Sequence, residues 1–499
     1  MTVPTYLALG LVLILLIGKA FTYFQEYRFA KAHGCEVPVA YPQSERILGY
    51  AHFKQQVRMS KEKKILPDGQ RRFEQVGDTF SVVTLGRKTW ITRDPENVKA
   101  LLATNFKDFG IGQRVGSIGA LLGQGIFTSD GALWEHSRAL VRPNFTKSQV
   151  ADLDTFESHI QYLFAKIPHD GSAVDLQPLF FQLTLDSATE FLFGESVDVL
   201  RSPEGSEQHL FGQAFDYAQN ELSHRVRLGP FLWLYRNREF DIACARVHRF
   251  VDKFVARALE FRRAHQAGEK VNEEKGKYIF ANELALATGD PIQIRAELLN
   301  ILLAGRDTTA GLLSNTFHVL ARRPDIWSNL RSDIDQLEGK RPDYETLRNM
   351  KYLKFVLNES LRLYPSVPGN ARFANKNTTI PTGGGPDGKS PVFIPKGGAV
   401  VYSTYSMHRR KDLYGEDADQ YKPERWETLR VGWGYLPFNG GPRICVGQQF
   451  ALTEAGYTIV RMVQEFEKIE NRDLAPWLEN LHLTLSSGNG VHAALFGRS

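Results

Sequence analysis

The chain has 499 residues, a formal charge of +5, 42% hydrophobic and 23% charged residues. That length holds several domains or one with an extended core, and so mild a charge argues against a nucleic-acid footprint while suiting an acidic protein partner or an anionic membrane surface. Three cysteines, Cys35, Cys244 and Cys445, stand far apart without a Cys-x-x-Cys pair, which argues against a disulfide framework and for a reducing compartment.

An apolar run from Val3 to Ile17 is broken only by Pro4, Thr5 and Tyr6. Lys19 is its first charge, the aromatic residues Phe21, Tyr23, Phe24 and Tyr27 follow, then Arg28 and Lys31. A helix from Val3 to Phe24 is about long enough to span a bilayer, and its basic flank places the rest of the chain in the cytosol. A cleaved signal peptide fits less well, because the basic start and the small-residue cleavage site are missing. The expected division is an anchor with its flank at 1–31, a hinge at 32–45 around Pro38 and Pro42, and one large domain at 46–499.

Alternation from Phe80 to Thr92 about Gly86-Arg87 predicts a β-hairpin. Residues 110–127 read as a glycine-rich apolar loop. The stretch from Gly131 to Phe145 reads as a helix with Trp134 and Arg138 on one face. Residues 201–208 form a polar loop, and residues 262–277 a solvated charged segment. The sequons at Asn144 and Asn377 go unused in a cytosol-facing domain.

Asp290-Pro291 starts a long helix running to Arg323, before Pro324. Its centre, Ala304-Gly-Arg-Asp-Thr-Thr309, is polar. Gly305 leaves room for something flat to pass, and Thr308 is placed to bond the carbonyl four residues back and loosen the helix. An acid beside an alcohol, Asp307 and Thr308, suits a proton relay. Glu359 and Arg362 sit three apart on a helical stretch, and Pro423-Glu-Arg-Trp426 follows. Residues 383–390 satisfy a phosphate-loop pattern, but a strand and turn follow instead of a helix, so they read as a glycine-rich turn.

Phe438-Asn-Gly-Gly-Pro-Arg-Ile-Cys-Val-Gly447 places Cys445 just before a helix start, where the helix dipole and free N–H groups favour thiolate. Gly441 and Gly447 allow positive φ or a close approach. Arg443 is within reach of an anionic group at the rim of a flat ligand, and Phe438 can shield the sulfur. One soft, shielded, hydrogen-bonded anionic ligand is what a haem-thiolate iron requires.

This loop resembles the haem loop of the cytochrome P-450 superfamily, and the Trp-x-x-x-Arg helix, the Ala304–Thr309 motif and the Glu-x-x-Arg pair stand in the family's order. Ala304–Thr309, Asn377–Pro381 with Gly383–Gly388, and Phe438–Ala455 resemble its fungal alkane- and fatty-acid-hydroxylating branch. The resemblance implies a mainly α fold with small β-sheets, as one large haem domain behind an N-terminal membrane anchor. It implies haem b on Cys445, with Phe438, Arg443 and Gly447 about it, and propionates held by Trp134, Arg138 and Arg372, with His408 a weaker candidate. It further implies oxygen activation by Asp307 and Thr308, and a brace of Glu359, Arg362 and Arg425, although Trp426 stands where the family usually has Phe. No flavin or nicotinamide fingerprint is present, so electrons are expected from NADPH through a separate NADPH–cytochrome P-450 reductase, with cytochrome b5 as a further donor. Arg138, Arg142, Lys147 and Lys351 are candidates for the docking face. The expected product is a terminal alcohol of a long-chain fatty acid or n-alkane, made at the endoplasmic reticulum membrane. The alternatives are tailoring of a terpene or polyketide, and a non-catalytic haem-binding or sensor protein.

Overall fold

The structure is a computed structural model describing residues 3–145, 152–268 and 278–498, with the side chains of residues 3–9, 11 and 230 outside the description. Nine helices carry the argument: α1 Val3–Ala32, α2 Arg114–Leu122, α3 Gly131–Val141, α4 Leu176–Phe193, α5 Glu207–Leu228, α6 Arg238–Gln266, α7 Pro291–Leu320, α8 Lys351–Leu363 and α9 Gln448–Glu465. The strands are short: β1 Val39–Ala40, β2 Thr79–Thr84, β3 Arg87–Thr92, β4 Phe109–Gly110, β5 Asp170–Asp175, β6 Gly369–Ala374, β7 Thr378–Gly384, β8 Ser390–Ile394, β9 Ala399–Ser403, β10 Phe466–Asn471, β11 Glu479–Leu481, β12 Leu485–Ser487 and β13 His492–Gly497. They form a six-stranded sheet ordered β1-β2-β3-β9-β6-β4, a three-stranded sheet β10-β13-β5, and the pairs β7-β8 and β11-β12.

Helix α7 is the axis of the domain. Asp290 caps it by accepting from the Ile292 N–H at 2.9 Å, with Pro291 in the first turn. It packs on α4, α6, α9, α8 and α2 and against β12, and nearly every side chain from Ile294 onward is buried. A helix buried on all sides belongs in the middle of a large core. It ends at Leu320, before the expected Arg323, and Pro324 opens the next helix, Pro324–Asp335. The helix is continuous through its polar centre. The close backbone approach occurs at Gly311, where a Cβ would stand 2.6 Å from the Leu485 carbonyl. A Cβ at Gly305 would only touch Ala188 at 3.6 Å, so the room expected at Gly305 is not needed by the chain itself.

The hairpin is β2–β3, turning through Leu85 and Gly86 at positive φ. The phosphate-loop lookalike is the β7–β8 hairpin and its turn. The expected loop at 110–127 contains α2, whose Ile118, Leu121 and Leu122 are buried. The segment read as a hinge is partly drawn into the sheet. Val39 and Ala40 pair with Phe80 and Ser81, and Gln43 bonds Val83 in both directions at 2.8 and 3.0 Å. The N-terminal helix is present and longer than expected, but among the described residues no helix is long and apolar enough to cross a membrane. Residues 269–277 of the expected charged segment lie outside the described residues. Cys244 is buried in the core and Cys35 is half-buried; all three cysteines are free.

Candidate active site

The Cys445 loop is shaped by its own backbone. Asn439 and Gly441 take positive φ. A Cβ at Gly441 would collide with the Leu102 carbonyl, so glycine is required there twice over. The Cys445 N–H donates to the Phe438 carbonyl at 3.0 Å, and Phe438 packs on the main core. Helix α9 begins at Gln448 with Gly447 as its cap. Gly447 needs no special φ, and a Cβ there would touch the Phe145 ring at an ordinary 3.6 Å.

Cys445 is exposed by surface area, yet burial pushes its thiol up, opposed by the Gly447 N–H and by the Arg138 charge. Both hold for a side chain that reaches solvent directly while the surrounding protein excludes water at longer range. The centre of α7 is also incompletely covered. Ala304, Gly305 and Thr308 are half-open in a stretch otherwise buried. The Thr308 hydroxyl donates to the Ala304 carbonyl at 2.7 Å, as its position predicts. Asp307 turns the other way, is 1% exposed, and accepts from Arg306 at 3.0 Å. Burial, against the pull of Arg306, raises its carboxyl to about 7.

Four arginines converge near the loop. Arg138 donates to the Ile444 carbonyl at 3.0 Å. Arg443 lies over the Trp134 ring, 4.3 Å from its centroid, and donates to Ser129 O at 2.9 Å and Asp130 Oδ1 at 2.6 Å. Arg372, 3% exposed, bonds the Ala371 carbonyl at 2.9 Å, and its Nε has no partner. Arg114 of α2 donates to Asn370 Oδ1. Burial and mutual repulsion lower Arg114 and Arg443 to about 10, with Asp130 the carboxylate that opposes this for both. Arg114 escaped the sequence reading. The signal was a lone cation in an apolar, glycine-rich stretch.

His408 does not join this group. Its Nε2 accepts from the Leu436 N–H at 2.9 Å and its Nδ1 donates to the Arg362 carbonyl at 3.1 Å. Burial drives its pKa down to about 3, so it is a neutral structural tautomer.

Glu359 and Arg362 are fully buried on α8. Arg362 bonds both Glu359 oxygens at 2.8 Å, and Arg425 bonds Oε1 at 2.9 Å. The remaining Arg362 donors go to the His408, Ala418 and Gln420 carbonyls at 2.6–3.0 Å. The Trp426 indole N–H donates to Glu359 Oε2 at 3.0 Å, a bond that a phenylalanine cannot make.

The Cytochrome P450 family model matches residues 47–490. The chain belongs to the cytochrome P450 family. It is 49% identical to Cytochrome P450 monooxygenase himC of Aspergillus japonicus, over 93% of this chain and 84% of that one. It is 46% identical to Cytochrome P450 monooxygenase fsdH of Fusarium heterosporum, over 95% and 85%, and 44% identical to Cytochrome P450 52A12 of Debaryomyces hansenii, over 97% of each. It is therefore an oxidoreductase of the monooxygenase type, with the haem that membership of this P450 family implies. The residues present fit that group. The Cys445 thiol is free and accessible, and a set of guanidinium groups short of counter-charge, one with an orphaned Nε, suits the two carboxylates of a haem.

Proposed function

We propose that this P450 hydroxylates long-chain fatty acids or n-alkanes at or near the terminal carbon. The observation that carries the reading is the resemblance to the alkane- and fatty-acid-hydroxylating branch across three separate segments, Ala304–Thr309, the turn at 383–388 and Phe438–Ala455. The apolar stretches at 111–127, 298–303 and 367–371 suit an alkyl chain, although they suit a terpene or polyketide equally. One methylene changes binding by only about 1–3 kcal/mol, so chain length is not encoded in such walls.

In this reading Cys445 is the haem ligand. The Gly447 N–H and the α9 N-terminus favour its thiolate, and Phe438 keeps water from the sulfur. Trp134, Arg114, Arg138, Arg372 and Arg443 orient the propionate edge. Bound there, the haem supplies dioxygen activation, which a thiolate ligand promotes. Thr308 and Asp307 hold and pass protons on the α7 side. Glu359, Arg362 and Arg425 brace the segment that leads into the ligand loop.

Electrons come from NADPH through a separate flavoprotein reductase, with cytochrome b5 as a second donor. Arg142 is an exposed member of the proposed docking face. Lys351 is exposed but paired with Glu427 at 2.7 Å, and Lys147 lies outside the described residues. Residues 1–31 anchor the enzyme to the endoplasmic reticulum membrane, with the domain at 46–499 in the cytosol. In support, six successive apolar side chains, Val12 to Ile17, are 51–67% exposed, which water disfavours and lipid accepts. Removing residues 1–31 moves the protein to the soluble fraction with its haem spectrum intact.

The deciding assay supplies reductase and NADPH with dodecane, lauric, palmitic and oleic acids and several terpenes. Terminal alcohols from the aliphatic group support the reading. Turnover of ring systems alone, with fatty acids neither bound nor oxidised, replaces it with the tailoring role.

A further inference from the structure

Arg306 is the charged residue of the Ala304–Thr309 motif that the reading above leaves without a role. It is 4% exposed. Its guanidinium carbon lies 4.8 Å from the ring centroid of Phe181 on α4 and 5.8 Å from that of Phe215 on α5. The guanidinium is shared between two carboxylates. Nη1 donates to Asp307 Oδ1 at 3.0 Å, and Nη2 pairs with Asp216 Oδ1. Arg306 Nε and Asp307 Oδ2 are buried without hydrogen-bond partners.

Asp216 belongs to α5, and about half of its side chain is open to solvent (49%). Helix α5 packs mainly on α6 and α2, so this ion pair and Phe215 are its polar and aromatic reach to the centre of α7. We propose that Asp216 and Arg306 are a positioning pair that ties the seating of α5 on α7 to proton donation by Asp307. The proposal rests on Asp307 as the proton carrier.

The sign follows from the charges. The charged groups facing Asp307 among the described residues are Arg306 on its own helix and Asp216 on α5, with the Thr484 hydroxyl facing it from the turn between β11 and β12. From α4, Phe181 faces the pair, while Asp186 is engaged by the Val199 and Leu200 N–H groups at 2.7 and 2.9 Å. With α5 seated, Asp216 draws on Arg306 and places a second negative charge nearby. Both effects favour the protonated Asp307. With α5 lifted, Arg306 alone remains beside Asp307 and favours its ionised form, which has no proton to give at neutral pH. Proton supply is thereby open when α5 covers the oxygen-side helix and closed when it does not.

The test uses the full-length, haem-loaded protein. In infrared difference titration, the carboxylic-acid band lost in Asp307→Asn reports Asp307 directly, without turnover. Its midpoint, which burial raises above the ordinary carboxylate range in the parent, should fall by about one pH unit or more in Asp216→Asn and return in Asp216→Glu. Product formed per NADPH oxidised should lose its alkaline limb in parallel, falling by up to about tenfold for a one-unit shift. Amide hydrogen exchange along α5 should quicken in Asp216→Asn and recover in Asp216→Glu. Asp216→Ser serves as a second variant if the asparagine protein fails to fold. An unchanged band midpoint in these variants overturns the coupling while leaving Asp307 as the carrier. Coupled turnover unaltered in Asp307→Asn overturns the carrier role itself, and the coupling with it.

Discussion

Arg362 and Arg425 are buried beside Glu359, and Arg114, Arg372 and Arg443 are crowded between α2, β6 and the ligand loop. The first set is complete within the chain: two guanidinium groups, the Glu359 carboxylate bonded by both and by an indole, the Asp417 carboxylate bonded by Arg425 at 3.1 Å, and backbone carbonyls for the other donors. The second set is not. Asp130 answers several cations, which lower one another, and one buried Nε is orphaned. Buried charge that the chain compensates is scaffold, because removing one partner strands the other. Buried charge that the chain leaves uncompensated marks where an anionic ligand belongs.

The largest effect should come from the candidate haem ligand itself. Cys445→Ser should abolish the absorption of the reduced, carbon monoxide-treated protein at the wavelength for which the family is named. An unchanged spectrum would remove Cys445 from the ligand role. Next, Glu359→Gln should lower stability by about 3–5 kcal/mol, in the haem-free protein as well as the loaded one, measured by denaturant unfolding. Arg372→Leu or Arg114→Leu should leave the haem-free protein as stable or more so, yet speed haem loss by about tenfold or more, the scale of a lost charge-assisted bond. If these variants unfold the haem-free chain as severely as Glu359→Gln does, the distinction between the two sets fails.

Trp426→Phe should cost about 1.5–3 kcal/mol, the value of one hydrogen bond to a charged group, and a smaller loss would show that Glu359 is satisfied without it. Glu454 on α9 illustrates a third way to bury an acid. It is 1% exposed, accepts from Ser187, and burial raises its pKa from 4.5 to about 8. A carboxyl raised on folding contributes stability that is fully present below its unfolded pKa and declines as pH rises from 4.5 through 8. Glu454→Gln should remove that component of the decline, so a pH series of unfolding midpoints that falls equally in both proteins would show the acid to be ionised in the fold.

Sequence by itself determined the features that depend on spacing along the chain. The ligand loop with its helix start, the capped central helix, Thr308 on the Ala304 carbonyl, the β2–β3 hairpin and the Glu359–Arg362 pair are all set by neighbours within a few residues, where backbone geometry leaves few choices. Tertiary structure alone decided which distant groups meet. Arg114 meets Arg372 only because the fold brings the start of α2 within reach of Asn370 and Ala371 on β6. His408 is turned to Leu436 and Arg362 and away from the arginine cluster. Close backbone approach falls at Gly311, against β12, and Gly305 merely touches α4. Trp426 becomes a donor to Glu359, and Asp216 reaches Arg306. Each of these is a choice among several polar partners of equal chemistry, and it is made by which surfaces pack together, a property that no local pattern of residues contains.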